Sequence, residues 1–155
     1  MPSATLDSFD KALLKLVQRD SRRTHDALAR EVNLSPSAVR RRLKRLRDEG
    51  VITGEVALLS PDALGLTIIV NVRMEKESAE TYGRFKSRMR DCAEVSQCYS
   101  VSGDTDFILV THHPDMGSYD SWIAENLLSD PAIARSTSNI VYSRVKFDTA
   151  LPIPE

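Results

Sequence analysis

The chain predicts an α+β protein, with an N-terminal helix-turn-helix unit followed by a C-terminal ferredoxin-like βαββαβ module. Three observations carry this. Residues 40–47 pack Arg40, Arg41, Arg42, Lys44, Arg45 and Arg47 into eight positions, yet Val39, Leu43 and Leu46 keep the i, i+4, i+7 spacing of one helical face. Charge then divides along the chain. Residues 1–50 carry 12 Lys and Arg against 7 Asp and Glu, a net of +5, and the remainder 9 against 15, a net of −6, within an overall −1. From Leu66 onward, β-branched runs and amphipathic stretches follow in the order strand, helix, strand, strand, helix, strand, the split βαβ unit.

Each element has its own signal. After a short frayed start, Asp7 to Arg19 places Leu13, Leu14, Leu16 and Val17 on one side, an amphipathic first helix. Thr24 caps a second, His25 to Val32, and Asn33-Leu34 makes a tight connection into the cationic helix. That helix opens on Ser35 as N-cap with Pro36 in the first turn, and closes at Gly50, where positive φ is wanted. A short turn before a basic helix is the arrangement that places a recognition helix in the DNA major groove. No acid lies between Glu31 and Asp48 to pair with the cations, so the charge is suited to a polyanion rather than to a solvated, self-paired face.

Beyond Gly54 the run to Leu59 reads as a strand, a wing or a hinge, closing at Ser60-Pro61. Leu66 to Met74 is an Ile- and Val-rich strand. Ser78 to Arg90 is a helix with Tyr82, Phe85 and Met89 inward. Val95–Val101 and Phe107–Thr111 are strands joined by a turn-rich connector. Asp115 to Leu128 is a helix carrying Met116, Tyr119, Trp122, Ile123 and Leu127, and Ile140 to Phe147 alternates as the last strand. The domains are therefore 1–53, a hinge and linker 54–65, and 66–155, with disorder expected only in the first few residues and the Pro152/Pro154 tail. A four-stranded sheet with helices on one face needs a cover for the other, and a second copy of the chain is the economical one.

Several classes are disfavoured. The longest apolar run, around Leu66 to Val72, is too short to span a bilayer and no secretory signal opens the chain, so a cytoplasmic protein is expected. Cys92 and Cys98 lack metal-ligand spacing and read as reduced thiols. His112 and His113 are adjacent on a strand and face opposite sides, a poor metal pair. Glycine-rich phosphate loops and nucleophile–base groupings are absent, so neither an enzyme nor a cofactor is expected.

The candidate DNA contacts are Ser35 and Ser37 with the helix-start amides for phosphate, Arg40, Arg41, Lys44 and Arg45 for the groove or its walls, and Arg22 and Arg23 for phosphate. Arg42 and Arg47 are as apt to pair with an acid such as Asp48 or Glu49 as to touch DNA. Gly103 to Asp106 offers Asp104 and Asp106 beside a residue without a side chain. On its residues alone it reads first as an Asp/Gly hairpin turn.

The run LDSFDKALLKLVQRDSRRTHDALAREVNLSPSAVRRRLKRLRDEGVITG, then VALLSPDALG, then VSQCYSVSGDTDFILV resembles the leucine-responsive regulator/AsnC (Lrp/AsnC) family, the feast/famine transcription regulators, over essentially the whole chain. Its specific parts are the Leu-Asp-x-x-Asp start, LSPSAVRRRLKRL with Gly-Val-Ile after it, and the loop at Gly103, Asp106 and Phe107. Where many members carry an aromatic after the hinge glycine, Glu55 follows Gly54. The resemblance implies a sequence-specific regulator on double-stranded DNA, associated with the nucleoid, pairing as homodimers through the sheets and assembling into octamers. It also implies an amino acid or related metabolite as effector. Gly103, Asp104, Thr105 and Asp106 would then face the ligand, with Ser136, Thr137 and Ser138 supplying hydroxyls and Tyr99 and Val101 a wall. The other reading is an architectural DNA-binding protein that needs no ligand.

Overall fold

The computed structural model describes residues 5–76 and 78–154, with only the backbone of Asp62, so the expected frayed start at 1–4 lies outside the described residues. The chain forms two compact units: one runs to Leu58 and takes in residues from Lys146 onward, and the other spans Leu59–Val145.

The first unit is three helices. α1 (Ser8–Val17) is closed at its start by a reciprocal cap in which Asp7 Oδ1 accepts the Asp10 N–H at 2.9 Å and Asp10 Oδ2 accepts the Asp7 N–H at 3.2 Å. α2 (His25–Val32) is capped by Thr24 and ends at Asn33, whose φ of 54° is the left-handed turn into the next helix. α3 (Pro36–Asp48) starts from Ser35, whose Oγ accepts the Ala38 N–H, and Gly50 after it has φ 70°. Leu13, Leu14, Leu28, Ala29, Val32, Val39, Leu43 and Leu46 form the core.

The second unit is a four-stranded antiparallel sheet in the order β2-β3-β1-β4, built from β1 (Leu66–Met74), β2 (Val95–Ser100), β3 (Phe107–His113) and β4 (Ile133–Ile140). α4 (Ala79–Asp91) and α5 (Met116–Ile123) bring Phe85, Met89, Tyr119 and Trp122 onto Ile68, Val70, Val72, Phe107 and Leu109. This is the expected α+β, ferredoxin-like module. The opposite face carries half-buried Ile69, Ile108 and Val110, with Tyr99 52% exposed.

Four expectations are corrected. The last strand is Ile133–Ile140, not Ile140–Phe147: β4 pairs Ser138 with Val70 and Ser136 with Val72, and the last bond is the Val141 N–H to the Thr67 carbonyl at 3.0 Å. β4 is a polar edge strand, so the stronger alternation sits just beyond the ladder. Residues 53–60 form no strand, and Val56, Leu58 and Leu59 are exposed, because a strand needs a ladder partner and the described residues supply none. The second helix of the module is α-helical only to Ile123, continues as a π-turn over Ala124–Leu128, and leaves Met116 exposed. The Pro152/Pro154 tail is ordered against the first unit, with Ile153 packed on its core.

Candidate nucleic-acid interface and effector pocket

With Val39, Leu43 and Leu46 turned inward, a 100° step per residue puts Ser37, Arg41 and Lys44 on the opposite side of α3. Arg40 flanks them. Arg40 and Arg41 are exposed and enter no ion pair among the described residues. Lys44 Nζ lies 2.6 Å from Asp48 Oδ2, one turn on, in a solvent-exposed pair of small worth. Ser35 Oγ caps the helix and lies 3.0 Å from Ser37 Oγ. Arg22 is exposed and 3.6 Å from Asp20. Arg23 is paired with Glu31, and that hydrogen-bonded partner draws the Glu31 carboxyl below its ordinary range.

Arg45 departs from expectation. It turns from the outer face to Asp10, a fully buried carboxylate that also receives Arg42 Nη1 at 2.9 Å. Arg42 reaches Asp7 Oδ2 as well, at 2.6 Å, and lies over the Phe9 ring at 5.4 Å from its centroid. The Asp7 carboxyl is held below the usual carboxylate range, chiefly by the Asp10 N–H and next by Arg42. Arg47 pairs with Glu55 at 3.0 Å through Nε, so the acids that hold Arg42 and Arg47 are not Asp48 and Glu49. Asp10 is the structural residue that composition hides; the Leu-Asp-x-x-Asp spacing is its one sequence mark.

The connector after β2 bounds a cavity of about 390 Å³ lined by Gly103, Asp104 and Asp106 with Arg73, Met74, Glu75 and Ala134. Asp106 is engaged within the fold: it accepts the Met74 N–H at 2.7 Å and the Tyr82 hydroxyl, while its own N–H donates to Val72 and its carbonyl accepts from Val101. The expected pair of free carboxylates therefore reduces to Asp104, which is exposed. Gly103 has φ 121°, a conformation that favours glycine. The other expected residues do not line the cavity. Thr105 and Val101 are half-buried beside the cavity's loop, and the Tyr99 hydroxyl donates to Gln97 Oε1 at 2.8 Å. Ser136 and Thr137 sit across β1 on β4, and Ser138 is bonded to the Tyr119 hydroxyl. Arg73, Glu75 and Ala134 were not foreseen, since only the ladder brings them to the loop.

His113 is buried between Tyr119 and Trp122, whereas His112 faces the other way, toward Thr67 and Ser96. Among the described residues, no three His, Cys, Asp or Glu side chains group as metal ligands, and no helix is long and apolar enough to cross a membrane.

A helix-turn-helix whose exposed helix face keeps arginines with no ion pair among the described residues, continued by an antiparallel sheet module with a polar cavity, defines the class of DNA-binding transcription regulators. The comparisons agree. Residues 6–53 match the winged helix-turn-helix DNA-binding family and residues 67–151 the Lrp/AsnC ligand binding domain. The chain is 36% identical over 150 residues to the DNA-binding transcriptional activator DecR of Escherichia coli strain K12, covering 96% of this chain and 99% of that protein. It is 32% identical over 154 residues to the leucine-responsive regulatory protein of the same strain, covering 98% and 94%. A transcriptional regulator of Neisseria meningitidis crystallised with L-Met superposes with a TM-score of 0.87 at 33% identity, covering 96% of this chain and 97% of that one. The chain belongs to the Lrp/AsnC family of transcription regulators.

Proposed function

We propose that this regulator binds duplex DNA through the outer face of α3 and responds to an amino acid held at the Gly103–Asp106 loop. The observation that carries the DNA reading is the sorting of cations on α3. Arg42 and Arg45 are spent on Asp7 and Asp10, and Arg47 on Glu55, while Arg40 and Arg41 beside Ser37 and Lys44 have no acid partner among the described residues. Arginines left uncompensated on an exposed helix face are available for guanine edges or phosphates. Ser35, with the helix-start amides, and Arg22 are assigned to phosphate, and Arg23 reaches it only by giving up Glu31. The Arg41→Ala variant is expected to lose about 1–3 kcal/mol on a cognate duplex and to lower the salt slope of binding by about one. A gel-shift titration with affinity and slope unchanged would remove Arg41 from the interface.

For the effector, Asp104 supplies a carboxylate for an ammonium group. Arg73 on the same cavity supplies a cation for a carboxylate, and it stands directly opposite Arg135 in the β1–β4 ladder. Two like charges across a ladder repel, and an anion between them relieves the repulsion. The binding of L-Met by the Neisseria relative supports a zwitterionic ligand of this size. Ser136 and Thr137 follow Arg135 along β4 and are assigned as hydroxyl donors to the ligand's carboxylate. Dimers form through the open sheet face and assemble further, and the protein regulates at the nucleoid rather than catalysing a reaction.

A further inference from the structure

The chain's last described residues are held by the first unit at three separate points. Arg19 Nη1 lies 3.0 and 3.2 Å from the two carboxylate oxygens of Asp148. Gln18, the C-cap of α1, reads both backbone groups of Leu151: its Nε2 donates to the Leu151 carbonyl at 3.1 Å, and the Leu151 N–H donates to its Oε1 at 3.0 Å. Ile153 is half-buried on the core cluster of Leu13, Leu28 and Leu43. A side-chain amide that pairs with a backbone N–H and C=O together recognises extended chain, as a sheet edge does, while the ion pair and the apolar anchor fix which chain and which register. Pro152 and Pro154 restrict Leu151 and Ile153 to extended conformations, so less chain entropy is lost on docking.

We propose that the C-terminal turn of α1 is a peptide-docking surface whose occupant is this chain's own segment Asp148–Ile153, and that docking gives the sheet module a second tether to the DNA-binding unit, held by non-covalent contacts. The first is the link over 54–60. The second leaves β4 at Ile140, crosses the exposed Tyr142 and Val145, and ends on α1. α1 also carries Asp10, and its cap Asp7, which grip Arg42 and Arg45 of α3, so the docked tail and the helix that bears the cationic face rest on the same support. The docking stands on these contacts alone. Its bearing on DNA rests on the reading of α3 given above.

Hydrogen exchange tests it on the full chain, on Gln18→Ala and Ile153→Asp variants, and on a chain ending at Lys146, each at two concentrations. The Leu151 N–H is expected to be protected about tenfold over unstructured peptide in the full chain and released in both variants. Amides at the end of α1 should exchange about threefold faster once the tail is cut, with β1 and β3 unchanged, and a free peptide of residues 147–155 should restore them. Exchange of Leu151 at the unstructured rate, or α1 indifferent to loss of the tail, would overturn the proposal. Protection that vanishes on dilution would place the tail on a second copy and overturn the intramolecular assignment. None of these readouts uses DNA or an amino acid, so their failure is separate from failure of the proposed function.

Discussion

Asp10 sorts the cations of α3 by holding Arg42 and Arg45 on the inner side. A carboxylate with no exposure is tolerable only because two guanidiniums reach it, and those guanidiniums, 22% and 42% exposed, are thereby fixed away from the outer face. Asp10→Asn removes the charge but not the volume. We expect a loss of about 3 kcal/mol in urea unfolding, at the lower end for a buried pair because both arginines still reach solvent. His113 makes a second residue-scale prediction. Burial is the main cause holding its pKa down; nearby Glu94 opposes this, and neighbouring His112 adds to it. A depressed base is neutral when folded, so its contribution is present above about 6.5, the unfolded value, and is lost as pH falls from there through the folded value. His113→Gln should flatten the fall in melting temperature between pH 7 and 5, leaving the slope contributed by His112, whose pKa burial also lowers. An unchanged slope would show that His113 is not its source. At this scale the sequence was legible where the signal is local. Ser35, Pro36, Thr24 and Gly50 stand where their capping chemistry places them. Asp10 and Arg45 were not legible as a pair, because 35 residues separate them and only the fold closes the distance.

Elements were legible when their periodicity matched their burial. β1 alternates buried and half-buried positions from Ile68 to Val72, within the range its Ile/Val pattern marks, and α2 runs over the expected residues. β4 was misplaced because an edge strand with Ser, Thr, Asn and Arg on its faces carries no apolar period, while the exposed residues after it do. The 54–59 run reads as a strand by composition and lacks a partner. Two glycines separate backbone need from space. Gly65 has φ 134°, and a Cβ there would fall 2.2 Å from the His113 carbonyl oxygen, so Gly65→Ala must push β1 from the end of β3. Gly103, at φ 121°, has nothing within 4 Å of such a Cβ. Thermal unfolding should show Gly103→Ala costing about 1–2 kcal/mol for the backbone alone and Gly65→Ala costing clearly more. Equal losses would mean that the Gly65 contact is absorbed without movement.

At the scale of the molecule, the family assignment was legible in the sequence, whereas the cavity was only half so. Gly103, Asp104 and Asp106 could be picked out, but Arg73, Glu75 and Ala134 reach the loop through strand pairing. The open sheet face, with Ile69, Ile108 and Val110 only half covered, predicts self-association: sedimentation should give a multiple of the 17.3 kDa chain mass, and Val110→Lys should reduce it. A folded monomer at micromolar concentration would contradict that. The central claim is that a metabolite bound at the sheet module changes how α3 meets DNA. Its most direct test is an anisotropy titration of a labelled duplex, recovered from chromatin with this protein, in the presence of each of the twenty amino acids in turn. The account predicts that at least one shifts the apparent affinity by about fivefold or more and that the shift is lost in Asp104→Asn. Identical curves for all twenty would contradict it.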